Sequence, residues 1–162
     1  MTAGNDPAAW QNFYLMIGTA NAAIAGLLFV ALSMHLQQIL AHPVFKPRAA
    51  LVLVVLTSQI IISAVVLTPQ PRVLMGVEIL VINGFFLALN MRYRIRAQWS
   101  AGAAITLSIR VLYVYAALSL IVGVGGGFYA LDAILLVTLA RSMASCWTLL
   151  TALEGEITQP GG

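Results

Sequence analysis

The chain has 162 residues, of which eight are Lys or Arg and five are Asp or Glu, so 8% carries formal charge and the net charge is +3. Soluble domains carry about 25% charged residues, whereas here 61% is apolar without counting glycine and the mean hydropathy is +0.97. So few charges do not cover a water-exposed surface of this size, which excludes soluble enzymes, nucleic-acid modules and disordered tails and leaves a polytopic membrane protein.

A helical span takes about 20 residues to cross ~30 Å of hydrocarbon. Runs of that length without Lys, Arg, Asp or Glu extend from Pro7 past Met34 and from Ala49 to Pro71. Glu78 alone interrupts Val73 to Met91, and beyond Ala97 only Arg110, Asp132 and Arg141 break the apolar text before the tail. These runs predict an all-α, polytopic transmembrane helix bundle of about five helices, over 11–38, 49–68, 73–91, 101–123 and 128–152, forming a single integral membrane domain over 1–162.

The first predicted helix follows a start without a basic region, and its apolar run exceeds a usual signal sequence, so it is expected to remain as an anchor. Gly18, Ala22 and Gly26 recur every four residues, a small-residue stripe for close helix packing. Asn21, Leu28 and His35 share another face. His35, at the end of that helix, is a pH-sensing candidate. No carboxylate or thiol accompanies His35 and His42, so neither a metal site nor a cofactor is expected.

Pro43 and Pro47 bracket the first loop. The second helix carries Gln59 and Ser63 as an i, i+4 pair near its middle. Thr68 to Arg72, with Pro69 and Pro71, is so short a turn that helices two and three are expected to be antiparallel neighbours. The third helix places Gly76, Asn83 and Asn90 on one face and Glu78 about 8 Å into the membrane. Arg92, Arg94 and Arg96 alternate, so they read as a topology anchor touching anionic lipid and not as a voltage-sensing face.

The fourth helix carries Arg110 about 10 Å from the boundary. Gly123 to Gly127 then forms a turn or hinge. With Phe at 128 and no preceding strand, it is no phosphate cradle. The fifth helix holds Asp132 about 6 Å deep and Arg141 about 12–15 Å from the opposite boundary. Nine residues separate these two, which turns them to opposite faces, so they cannot neutralise each other. Their charges leave a partly re-entrant course open. Thr138, Arg141, Ser145 and Thr148 make one polar stripe that avoids lipid. Cys146, the single cysteine, has no internal disulfide partner.

Lys46, Arg48, Arg92, Arg94 and Arg96 lie on one side of the predicted bundle and Arg72 alone on the other. The imbalance places the N-terminus outside and the C-terminus in the cytoplasm. Trp10, Tyr14, Phe128 and Tyr129 fall at the outer edge, and Tyr93, Trp99 and Trp147 at the inner one. A basic excess beside spans is a topology signal, so no nucleic-acid partner is expected.

Each intramembrane charge costs about 2.5–3.5 kcal/mol at a helix centre, so Glu78, Arg110, Asp132 and Arg141 are the sharpest functional signals. Arg141, Arg110, Asp132, Glu78, Thr138, Ser145, Asn83 and Gln59 are pore-lining or gating candidates of a homo-oligomeric channel or permeation protein for small ions. Arginines at a constriction favour anions and outer acids favour cations, which leaves the ion's sign open. The alternative is a non-conducting accessory subunit binding another membrane protein. A third reading is a small-molecule or lipid binder using the cationic inner half. With no nucleophile, base and acid together, no enzyme is expected.

The stretches GTANAAIAGLLFVALSMHLQQILAHP, KPRAA and PQPRVLMGVEIL resemble a group of small multi-spanning bacterial membrane proteins of unassigned activity, some labelled FtsH-protease modulators. The resemblance covers about the first half of the chain. It implies a bacterial inner-membrane protein and carries over no functional residue.

Overall fold

A computed structural model describes residues 6–41, 45–94 and 102–158. In chain order the helices are α1 (Pro7–Met34), α2 (Leu36–Ala41), α3 (Phe45–Leu67), α4 (Arg72–Arg94), α5 (Gly102–Val122) and α6 (Gly127–Thr158). No strand occurs among the described residues. All but α2 are long and apolar enough to cross a membrane. His42, Pro43, Arg96 and Trp99 lie outside the described residues, as do the side chains of Asn90, Arg92, Tyr93 and Arg94.

Local chemistry sets the helix ends. Asp6 caps α1 by accepting from the Ala8 amide at 3.1 Å, and Pro7 stands in the first turn, where its missing N–H costs nothing. The apolar run predicted over 11–38 is broken at His35, whose backbone (φ −109°, ψ 21°) leaves the helix. The short α2 restarts beyond it, and the Ile39 amide bonds the His35 carbonyl at 3.1 Å. Between α3 and α4, Gln70 donates to the Val65 carbonyl at 3.0 Å and to Glu78 Oε2 at 2.8 Å, fastening the turn to both helices.

The α5–α6 turn needs its glycines: Gly123, Gly125 and Gly126 have φ of 81°, 92° and 67°, a region unfavourable to side chains. Ser119 Oγ donates to the Val124 carbonyl and the Tyr115 hydroxyl to that of Gly125, tying the turn to α5. Beyond it α6 runs without interruption for 32 residues, so Asp132 and Arg141 belong to one straight-through helix and the re-entrant course does not occur. Its length of about 48 Å exceeds the ~30 Å of hydrocarbon.

α3 is the hub. It packs against α1, α4 and α6, while α5 joins α4 to α6 and α1 also touches α6. Tyr14, Ile17, Ile62, Ile79, Leu120, Phe128 and Leu131 belong to a core nearer the Arg72 end, and Leu28, Leu32, Phe45, Leu56 and Leu149 to a smaller one nearer the Arg48 end. Outward faces carry Leu27, Phe29, Val81, Phe85 and Val111, side chains suited to lipid.

The predicted small-residue stripe divides. A Cβ on Gly18 would stand 3.1 Å from Ser63 Cβ, but one on Gly26 would meet nothing within 4 Å, and Ala22 is exposed. Steps of four residues advance about 40° too far per step, so the stripe drifts out of the α1–α3 interface. The buried positions Tyr14, Ile17, Asn21 and Leu28 mix steps of three, four and seven and remain in it. The tightest glycine contacts occur elsewhere: a Cβ on Gly76 would lie 2.8 Å from the Ala117 carbonyl oxygen, and one on Gly127 2.8 Å from that of Ala116.

Candidate functional site

α3, α5 and α6 line a half-open cavity of about 510 Å³ in the half of the bundle near Arg48. Three arginines line it, one from each helix: exposed Arg48, buried Arg110 and half-buried Arg141. Hydroxyl-bearing Ser58, Thr106, Thr138, Ser142, Ser145 and Thr148 share the lining with Gln59 and Tyr113, and no Asp or Glu is among the described lining residues. Arg110 lies about 12 Å along α5 from Gly102, and Arg141 about 21 Å along α6 from Gly127. Because α5 and α6 run in opposite directions, the two reach a similar depth.

Arg110 is 7% exposed. Its Nη1 donates to Asn83 Oδ1 at 2.9 Å, and Asn83 Nδ2 reaches back to the Arg110 carbonyl at 3.5 Å. The guanidinium carbon stands 6.0 Å from the centre of the Tyr113 ring, within cation–π range. Thr138, beside the Tyr113 phenol, donates to its own helix at Ile134 and Leu135. Arg110 is thus held by neutral partners, which position the charge without cancelling it.

Gln59 is fully buried and lines the cavity. Asn21 determines which way it faces. Asn21 Nδ2 donates to the Ile17 carbonyl at 2.8 Å, which fixes the Asn21 amide. The same nitrogen donates to Gln59 Oε1 at 3.2 Å, so Gln59 turns its oxygen toward α1. Its Nε2 is left as a buried donor without a partner.

Of the residues singled out in the sequence, Arg141, Arg110, Thr138, Ser145 and Gln59 come together in this cavity. Asn83 stands behind Arg110 as its anchor. Glu78 is held by Gln70 at the α3–α4 turn, and Asp132 is half-buried near Tyr14; neither carboxylate lines the cavity. His35 occupies the break between α1 and α2. Gly18 packs at Ser63, whereas Ala22 and Gly26 do not share that contact. Sequence reading missed Arg48, Ser58, Thr106, Ser142, Tyr113 and Asn21 as a group. Arg48 stands among the loop charges in the sequence, although Pro47 beside it marks a helix start. Ser142 and Tyr113 stand four and three residues beyond Thr138 and Arg110, on the same faces.

Fold and site together define a multi-pass α-helical membrane protein with an arginine-lined polar cavity inside the bundle. No protein-family model, curated protein or solved structure matches the chain.

Proposed function

We propose that this chain is a permeation protein for small anions and that the cavity is their entry site. The observation that carries the reading is the convergence of Arg48, Arg110 and Arg141 on one intramembrane cavity whose described lining contains no carboxylate. Arg110 is buried with only neutral partners, a costly state for a charge, and in this reading a mobile anion supplies its counter-charge. Gln59 Nε2 with the Ser142 and Ser145 hydroxyls adds neutral donors, which replace part of an anion's hydration shell as it enters.

With the orientation expected from the positive-inside count, the cavity opens toward the cytoplasm. Its volume accommodates chloride, nitrate or phosphate with water. The cavity lies within a single chain, so the reading holds with or without a homo-oligomer around it.

The test is anion efflux from liposomes containing the purified protein. Chloride, nitrate or phosphate leaves wild-type vesicles faster than protein-free ones, and Arg141→Gln and Arg48→Gln slow that efflux at least fivefold. Lys46→Gln, an exposed charge outside the cavity, leaves it unchanged. Efflux equal to that of protein-free vesicles, or indifferent to both arginine variants, overturns the proposal.

A further inference from the structure

Five buried side-chain atoms lack a hydrogen-bond partner among the described residues: Tyr14 Oη, Asn21 Oδ1, Gln59 Nε2, Ser63 Oγ and Asp132 Oδ1. They belong to three helices that pack on one another, α1, α3 and α6. Asp132 on α6 acts electrostatically on Tyr14 of α1. One turn along α1 is Gly18, and Ser63 of α3 packs at its Cα. One turn from Ser63 along α3 is Gln59, which is bonded to Asn21 and lines the cavity. Tyr14 and Asn21 are about 10 Å apart along α1, so these atoms bridge much of the distance from the Arg72 end to the cavity.

Unpartnered polar atoms inside a membrane bundle have no bulk water to relieve them. Buried polar atoms of this kind are ordinarily partnered by ordered water. Gly18 lets Ser63 come close to α1 without a side chain between them.

We propose that Asp132, Tyr14 and Ser63, with bridging water, form a proton route from the Arg72 side into the arginine-lined cavity. A proton from external water joins the Asp132 carboxylate. It passes along Tyr14, Ser63 and the intervening waters, each hydroxyl accepting one proton as it releases another, and emerges on cavity water. Gln59 takes no proton; its Nε2 orients the water at the junction, and Asn21 Oδ1 accepts from the same file. One proton enters and one leaves, with no change in the protein. Of the elements packed on α6, α1 brings Tyr14 to Asp132 and α5 brings Tyr113 behind Tyr14. An anion entering the cavity then has a proton to accompany it, so that charge movement is reduced. This coupling rests on the anion reading; the proton route does not.

The experiment uses the full chain in liposomes loaded with a pH-sensitive dye, with a potassium gradient and valinomycin driving protons and no chloride, nitrate or phosphate present. Wild-type vesicles change internal pH at least fivefold faster than protein-free vesicles. Asp132→Asn and Tyr14→Phe return the rate to within twofold of the protein-free value, while Asp132→Glu retains most of it. Ser63→Ala, a smaller change, serves if either variant unfolds in detergent, and slows the rate at least threefold. A wild-type rate equal to that of protein-free vesicles, or one unaltered in the folded variants, overturns the proton route. Anion efflux from parallel vesicles separates the two ideas: proton flux without anion flux removes the anion reading alone, and anion flux without proton flux removes the route alone.

Discussion

Arg110 and Asn83 are locked together across the α4–α5 interface, with the guanidinium donating to the amide oxygen at 2.9 Å. A neutral acceptor is an informative choice at this position. A carboxylate would hold the guanidinium more strongly, but it would also cancel the charge that Arg110 presents to the cavity. Asparagine fixes the position and leaves the field intact. The same division of labour appears at Tyr113, whose ring face attracts the cation without neutralising it.

Replacing that amide by a carboxylate therefore separates position from charge. Asn83→Asp keeps an acceptor for Arg110 and supplies a counter-ion, so the folded bundle retains its melting temperature. The anion concentration giving half-maximal efflux rises about tenfold, equivalent to ~1.4 kcal/mol. An unchanged half-maximal concentration in a folded Asn83→Asp protein would show that the Arg110 charge does not serve the anion.

Glycines that look alike in sequence differ sharply in their surroundings. A methyl group on Gly76 would be driven to 2.8 Å from the Ala117 carbonyl oxygen, a backbone atom that yields only if α5 moves. Gly76→Ala is expected to cost about 1–3 kcal/mol, the usual range for overpacking, and to lower the melting temperature in detergent. Gly26→Ala has open space around it and gains helix propensity of up to about 1 kcal/mol, so its melting temperature holds or rises. Thermal unfolding of the two variants side by side checks the contrast.

The helical membrane class and the five long elements were readable because hydrocarbon imposes one long apolar run per crossing. The break at His35 was not, since Leu36 to Ala41 continues in apolar and helix-favouring residues and only backbone geometry separates it. Within the site, Thr138, Arg141 and Ser145 were legible because a single helix sets their spacing. Arg48, Arg110 and Arg141 were not legible as one set, because their meeting depends on how α3, α5 and α6 pack. The grouping of Asp132, Tyr14 and Ser63 was hidden for the same reason: its members come from three helices, and no periodicity within one helix reports it. Gly18, Ala22 and Gly26 show the opposite error, where a regular spacing suggested a longer contact than helix geometry sustains.

In the α5–α6 turn it is the backbone conformation itself that disfavours a side chain. Gly125 has φ of 92°, and a Cβ there would stand 3.1 Å from Ser119 Oγ and 3.2 Å from the Tyr115 hydroxyl. Gly125→Val adds a branched side chain in a conformation that disfavours it and displaces the two hydroxyls that bond the turn. A cost of about 1–3 kcal/mol follows from the strained backbone alone. Slower refolding is not required, but the melting temperature must fall. Tyr115→Phe, which removes a single exposed hydrogen bond, changes it much less.

Gln59 offers a sharper test of the cavity, because Asn21 fixes which end of its amide is in use. Gln59→Glu preserves an oxygen for Asn21 Nδ2 and replaces the unpartnered Nε2 by a second oxygen. The α1–α3 contact survives, but the cavity loses a donor and gains a negative charge among its arginines. Anion efflux at low concentration is expected to fall at least tenfold while the melting temperature stays near wild type. Gln59→Leu does the reverse at the interface. It leaves the Asn21 N–H without its acceptor, at about 1–3 kcal/mol for a buried unsatisfied group, and adds no charge. Its melting temperature therefore falls, while its efflux declines less than that of Gln59→Glu. Equal loss of efflux in both variants would assign Gln59 to packing, since only the glutamate opposes an anion electrostatically.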